Sequence, residues 1–165
     1  MCIRDRNNYG PNQFPEKIIP LFITNLIDDI PVPLYGDGQN ERDWLHVEDH
    51  CRGVDLLIDK GVSGEVYNIG GGNQVKNVDL THRILELVGK PTSLIKPVAD
   101  RPGHDRRYSL DTAKLESLGW TPRENFESGL AATVRWYREN EAWWRPIKDQ
   151  DPAFRKYYQE QYGQR

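Results

Sequence analysis

Every β-prone stretch of this chain is short, and amphipathic helical stretches stand between them. Leu34-Tyr35, Arg42–Val47, Gly64–Ile69 and Leu94–Val98 read as extended segments of two to six residues. Between them, apolar residues recur at helical spacing, which predicts an amphipathic helix over about 15–28 through Ile19, Phe22, Ile23, Leu26 and Ile27. Pro15 suits the first turn of such a helix, and Pro31 and Pro33 follow its end. A second helix starts at Val47, with Val47, Cys51, Val54, Leu57 and Ile58 expected on one face and Gly61 as its stop. A third runs from about Val78 to Val88, with Leu80, Ile84, Leu87 and Val88 inward and Gly89 at its end. Asp111 is expected to cap a short helix ending at Gly119, and Phe126 to about Glu141 forms the last clear helix. So few short strands cannot complete a sheet by themselves. The fold class is therefore α/β, read as the α+β portion of a larger α/β protein.

Composition excludes more than it assigns. The chain has 165 residues, a net charge of −3 and four histidines. A general nucleic-acid binder would carry a basic excess, so no nucleic-acid partner is expected. No apolar run approaches the roughly 18 residues that cross a bilayer, so no membrane partner is expected either. Cys2 and Cys51 have neither metal-ligand spacing nor a disulfide framework, which favours a reduced, cytoplasmic protein. His46 and His50 stand four apart without a third ligand, so no metal ligand is assigned. Trp136, Trp143 and Trp144 lie in the last third and are expected to pack a C-terminal helix against the body.

The informative charges sit in loops. Lys17, Arg42, Arg101, Arg106 and Arg107 lie in or beside Gly/Pro-rich segments rather than along helix faces. Arginine and lysine converging from separate loops suit a phosphate-bearing ligand, because guanidinium forks match phosphate oxygens. Solvated or internally paired charges are the other reading, with Asp43, Asp100 and Asp105 close by in sequence. Gly70-Gly71-Gly72 follows a strand but fails the dinucleotide fingerprint, since Val75 stands where its last glycine belongs. These glycines are expected to allow close backbone approach to a neighbour or a ligand. Asn77 precedes a helical run and reads first as an N-cap.

Several of these segments together resemble one family. Asn7–Lys17 (Asn-Asn-Tyr-Gly-Pro-Asn-Gln-Phe-Pro-Glu-Lys), Tyr35–Trp44, Val47–Cys51, Tyr67–Gly71 and above all Asp100–Tyr108 (Asp-Arg-Pro-Gly-His-Asp-Arg-Arg-Tyr) are similar to dTDP-glucose 4,6-dehydratases, extended short-chain dehydrogenases of the NAD-dependent epimerase/dehydratase class. The resemblance covers residues 7 to about 165. It implies the C-terminal, substrate-binding portion of an extended Rossmann-type fold, with the N-terminal NAD-binding half missing. Residues 1–6 are then expected to be a non-native leader, 7–148 the sugar-nucleotide-binding portion and 149–165 a C-terminal tail. Without the missing half, the apolar face Ile19, Phe22, Ile23 and Leu26 is expected to be uncovered.

The family's reaction is an internal redox cycle. NAD takes hydride from C4 of dTDP-glucose, water leaves across C5–C6, and the hydride returns to C6 to give the 4-keto-6-deoxy sugar for deoxysugar (dTDP-rhamnose-type) biosynthesis. The Tyr-x-x-x-Lys pair, the Asp-Glu pair and the glycine-rich NAD loop of that chemistry are all absent from this sequence. No catalytic residue is assigned, and the chain alone is expected to be inactive. By resemblance, Asn7, Lys17, Ile18, Asn77 and Arg42 contact the substrate, with Arg42 clamping the pyrophosphate. Pro33, Leu34 and Tyr35 line the thymine side, Asp100, Arg101 and His104 close over the nucleotide, and Asn8 reaches the NAD. A homodimer is implied for the full-length family member. Two alternatives stay open: a related nucleotide-sugar epimerase or decarboxylase, and a nucleotide-sugar-binding module without chemistry.

Overall fold

The computed structural model describes residues 2–4 and 7–162. Among these residues, seven short strands form three small sheets and seven segments are α-helical. The first sheet holds β2 (Asn7–Tyr9), β4 (Glu41–His46) and β6 (Asn73–Lys76). Here β4 lies between a parallel neighbour, with Asn8 opposite Leu45, and an antiparallel one, with Arg42 opposite Val75. The second pairs β3 (Val32–Tyr35) in parallel with β7 (Ile95–Val98). The third pairs β1 (Cys2–Arg4) in parallel with β5 (Val66–Asn68). The expected leader therefore contains a strand at Cys2–Arg4; Met1, Asp5 and Arg6 lie outside the described residues.

Helix α1 (Ile18–Ile27) is the centre of the larger core. Eight of its ten residues are buried, from Ile19 through Leu26, so nearly its whole circumference is covered. That corrects the expectation of a bare face: Ile19, Phe22, Ile23 and Leu26 are at most 2% exposed. Helices α3 (Asn77–Val88) and α5 (Phe126–Glu139) and strand β3 pack around α1, and the same core takes in Tyr9, Trp44 and Val75 of the first sheet. The helix begins later than Pro15 because Phe14 to Lys17 make a turn closed by the Lys17 N–H on the Phe14 carbonyl. Helices α6 (Glu141–Gln150) and α7 (Pro152–Tyr162) complete this body. Trp144 is fully buried with its indole N–H on the Tyr137 carbonyl at 2.7 Å, and Phe154 joins the same core.

Helix α2 (Val47–Lys60) serves a smaller core of Leu45, Leu57, Tyr67, Ile69, Leu115 and Trp120. Its inward face is Asp49, Gly53 and Leu57, so the expected placement of Cys51 and Ile58 inward is wrong. The apolar count pointed one way, but the helix turns to bury Asp49 instead. The Asp49 carboxylate accepts the backbone N–H groups of Arg123 and Glu124 at 2.9 and 3.0 Å and pairs with Arg52. These bonds satisfy a charge that would otherwise be costly to bury. Helix α3 ends as expected on Gly89 in the left-handed conformation. The short α4 is Ala113–Glu116, with the Asp111 carboxylate accepting the Ala113 N–H.

Candidate functional site

The loops that carried charge in the sequence meet around one cavity of about 240 Å³. Nine residues singled out above line it: Asn7 from β2, Lys17 and Ile18 from the start of α1, Pro33 and Tyr35 from β3, Arg42 from β4, Asn77 from the start of α3, and Arg101 and His104 from the loop after β7. Leu34 and Asp100 do not line it. Leu34 alternates with Pro33 and Tyr35 on its strand, is 8% exposed, and packs by Gly38. Asp100 stands behind the wall: its carboxylate lies 2.6 Å from His104 Nδ1 and accepts the Arg101 N–H at 2.9 Å. The His104 bond is the main reason its pKa is lowered. Gly36, at a φ of 54°, has this carboxylate where a side chain would stand, so the loop can lie directly on the turn.

Arg42 is the most unusual group in the cavity. Its side chain comes from a central strand and the residue is only 5% exposed. Nη1 donates to the Glu41 carbonyl at 2.7 Å, the guanidinium lies 4.5 Å from the Tyr108 ring centre, and Nη2 is buried with no hydrogen-bond partner. Desolvation lowers its pKa first, and the charge of Arg101 lowers it further. The neighbouring Asp43 accepts the Asn73 N–H at 2.9 Å instead. A buried donor left without a partner costs about 1–3 kcal/mol, so its retention marks a place for an acceptor.

Asn77 supplies the complementary observation. It is not the N-cap of α3: Lys76 holds that position and makes no side-chain cap bond. Asn77 is the first helical residue, its N–H is taken by the Asn40 carbonyl at 3.0 Å, and its side-chain Oδ1 is buried without a partner at the cavity wall.

The five loop cations divide between the two readings the sequence left open. Arg42, Arg101 and Lys17 line the cavity, with Lys17 also 2.6 Å from Glu16. Arg106 and Arg107 turn away. Arg106 grips Asp37 at 3.0 Å, and Arg107 bonds Gln74 and lies 3.4 Å from Glu41.

Five lining residues were not foreseen: Glu16, Phe22, Tyr157, Gln161 and Tyr162. The last three belong to α7 and recur at i, i+4 and i+5, which puts them on one helical face. That spacing was the available signal, hidden because the tail is polar and reads as solvent-facing. Tyr162 is half-buried and its hydroxyl is hydrogen-bonded with Tyr35 and Tyr157; desolvation is the main cause of its raised pKa, so it stays a neutral donor. Burial likewise raises the pKa of Tyr157.

Asn8, expected to reach a cofactor, is not among the cavity-lining residues; its Nδ2 lies 2.8 Å from His50 Nδ1. Gly71 is pressed against backbone: a Cβ there would meet the Trp44 carbonyl oxygen at 2.1 Å. Gly71 therefore serves close packing on β4, while Gly70 faces the Asp43 side chain and Gly72, at a φ of 69°, takes a left-handed turn in open space.

Comparison with known proteins fits this geometry. The family model described as GDP-mannose 4,6 dehydratase matches residues 1–133. A dTDP-glucose 4,6-dehydratase of Streptomyces antibioticus is 59% identical over 146 residues, covering 88% of this chain and 44% of that protein. The crystal structure of a dTDP-glucose 4,6-dehydratase from Streptomyces venezuelae, solved with NAD bound, superposes with a TM-score of 0.87 at 55% identity, covering 88% of this chain and 46% of the other. A UDP-glucose 4-epimerase from Thermotoga maritima, solved with UDP-glucose, gives a TM-score of 0.77 at 32% identity over 84% of this chain and 46% of its own. The chain thus spans a little under half the length of the relatives it matches, and it aligns to roughly their C-terminal half. On the family model that covers most of its length, this chain belongs to the GDP-mannose 4,6 dehydratase family, and within that family it is similar to dTDP-glucose 4,6-dehydratases.

Proposed function

We propose that this chain forms the sugar-nucleotide-binding part of a dTDP-glucose 4,6-dehydratase. The observation that carries the reading is Arg42, a buried guanidinium with an unsatisfied Nη2, close enough to Arg101 for that charge to lower its pKa. A pyrophosphate would supply acceptors to Arg42 and relieve its repulsion with Arg101. Lys17 and Asn7 would meet the sugar side, Pro33 and Tyr35 the base. Asp100 orients His104, and Leu34 holds β3 in place from behind. NAD would supply the hydride transfers; the contribution of this chain to its site is limited to Asn8. A homodimer and a cytoplasmic setting belong to the same reading, and no helix among the described residues is long and apolar enough to cross a membrane.

The test is calorimetric titration of the chain with dTDP. Arg42→Ala should weaken binding about 10- to 150-fold, the worth of a charge-assisted hydrogen bond, and Arg42→Lys should recover part of it. Arg123 is exposed and engaged through its backbone N–H, so Arg123→Ala is the control and should bind as the parent does. Equal affinity of Arg42→Ala and Arg123→Ala would remove the pyrophosphate role. The chain with added NAD should not convert dTDP-glucose, because the tyrosine-lysine pair and the glycine loop are absent from its sequence. Appearance of the 4-keto product would contradict that.

A further inference from the structure

Tyr108 ends the stretch Asp100–Tyr108. The resemblance gives roles to Asp100, Arg101 and His104 of that stretch and none to Tyr108. Tyr108 does not line the cavity, yet its ring lies 4.5 Å from the Arg42 guanidinium. Its hydroxyl donates to the Asp105 carboxylate. The ring thus has its polar end on an acid and its face on a buried cation. The backbone that carries it is fastened to the strand that presents Arg42. The Glu41 N–H donates to the Arg106 carbonyl at 2.8 Å and the Tyr108 N–H to the Glu41 carbonyl at 3.2 Å, so residues 106–108 run beside the start of β4. Asn40 donates to the Asp105 carbonyl at 3.2 Å, and the Gln74 side chain of β6 bonds both Arg107 and Ser109.

An arginine side chain has several rotatable bonds, and a binding site gains affinity when they are fixed before the ligand arrives. The Glu41 carbonyl, which takes Nη1 at 2.7 Å, and the Tyr108 ring both fix Arg42 without carrying charge. A carboxylate in either place would neutralise the cation and occupy its fork. An aromatic face attracts a cation through its quadrupole and uses up no N–H. Held in this way, Arg42 keeps Nη2 available, and that nitrogen is buried without a hydrogen-bond partner. The Asp105 carboxylate, whose charge Arg42 feels, is taken by the Tyr108 hydroxyl. Tyr108 therefore orients the cation with its face and engages a competing acid with its hydroxyl.

We infer that Tyr108 is a positioning residue for Arg42, whose ring holds the guanidinium with Nη2 turned to a phosphate. The inference rests on the phosphate reading of Arg42, and a double-mutant cycle separates the two. The chain and its variants are titrated with dTDP. Tyr108→Leu removes the aromatic face and should weaken binding about 3- to 10-fold, the worth of a partly desolvated cation–π contact. Tyr108→Phe keeps the ring and should restore most of that loss. In the Arg42→Ala background, Tyr108→Leu should change affinity by less than about 2-fold, because no guanidinium remains to be held. An equal loss in both backgrounds would show that Tyr108 acts through loop packing, and it would overturn the positioning role while leaving Arg42 as the phosphate contact. A Tyr108→Leu variant that binds as the parent does would have the same consequence. Should Tyr108→Leu lower the melting midpoint, Tyr108→Phe with its ring fully fluorinated decides, since the shape is nearly kept and the negative ring face is lost. The fluorinated ring should bind dTDP about 3- to 10-fold more weakly than Tyr108→Phe, and equal binding would overturn the inference. A parent that does not bind dTDP, or an Arg42→Ala variant that binds it as tightly as the parent, would overturn the phosphate reading and this inference with it.

Discussion

Helices α1 and α2 both read as amphipathic, yet they are held in opposite ways. Eight of ten residues of α1 are buried, and three of fourteen in α2. Helix α1 is packed mainly by apolar neighbours, apart from the cavity at its start and the bonds of Asn25 to the Pro31 carbonyl and the Tyr158 hydroxyl. Helix α2 has one buried charged anchor, Asp49, and leaves Ile58 70% exposed, followed by Val62 at 58% in the turn after it. The difference follows the cavity. Residues at the start of α1 line it, and fixed geometry there requires a fully packed support. The α2 corner, with the paired β1 and β5, carries none of the cavity's residues.

The largest effect should come from the α1 side. Trp144 is fully buried among the helices that surround α1, so Trp144→Ala should cost about 3–5 kcal/mol, read by urea denaturation. A cost below about 1 kcal/mol would mean that this body is loosely packed and would erase the contrast. The α2 side should respond to a polar change of comparable size. Asp49→Ala removes the acceptor for the Arg123 and Glu124 N–H groups and the partner of Arg52, which should cost about 2–4 kcal/mol. Leu57→Ala deletes the apolar contact of the same helix and gives the comparison value; if it cost far more than Asp49→Ala, the Asp49 anchor would not be what holds α2.

Legibility in the sequence follows the same division. Periodicity located α1, α2, α3 and α5 because a helix records its own burial in local spacing. It misjudged the α2 face because the decisive inward residue is an aspartate whose partners lie over seventy positions away. Strands β1 and β6, of three and four residues, left no local signal, since their pairing with β5 and β4 is non-local. The cavity was legible from loop charge at Lys17, Arg42 and Arg101, came from the family resemblance alone at Asn77 and His104, and was illegible at α7, whose cavity-facing Tyr157 and Gln161 look like ordinary surface residues of a polar tail. Asn77 was read as a cap because caps and ligand contacts use the same residue type next to a helix start.

A smaller prediction concerns the trade between the cavity and stability. Arg42 keeps a cation buried with a donor unsatisfied, which disfavours the ligand-free fold. Arg42→Met fills similar volume without charge and retains contact with the Tyr108 ring. It should raise ligand-free stability by about 0.5–2 kcal/mol while weakening dTDP binding about 10- to 150-fold, as Arg42→Ala should. A variant less stable than the parent would show that Arg42 contributes to the fold through the Glu41 carbonyl and Tyr108 more than burial costs it.

The smallest effect should be at Ile58. It projects from α2 into solvent, so replacing it removes little packing. A lysine at this position is a slightly better helix former and stands three residues after Asp55, where an ion pair adds about 0.2–0.5 kcal/mol. Ile58→Lys should therefore change stability by no more than about 0.5 kcal/mol and should reduce binding of a hydrophobic dye. A loss of about 2 kcal/mol or more would mean that Ile58 is covered in solution. Measuring the melt at several protein concentrations then identifies the cover, because a second copy of the chain makes the midpoint rise with concentration. In that case the bare face of α2 would be an interface, and its contrast with α1 would be one between burial within a chain and burial between chains.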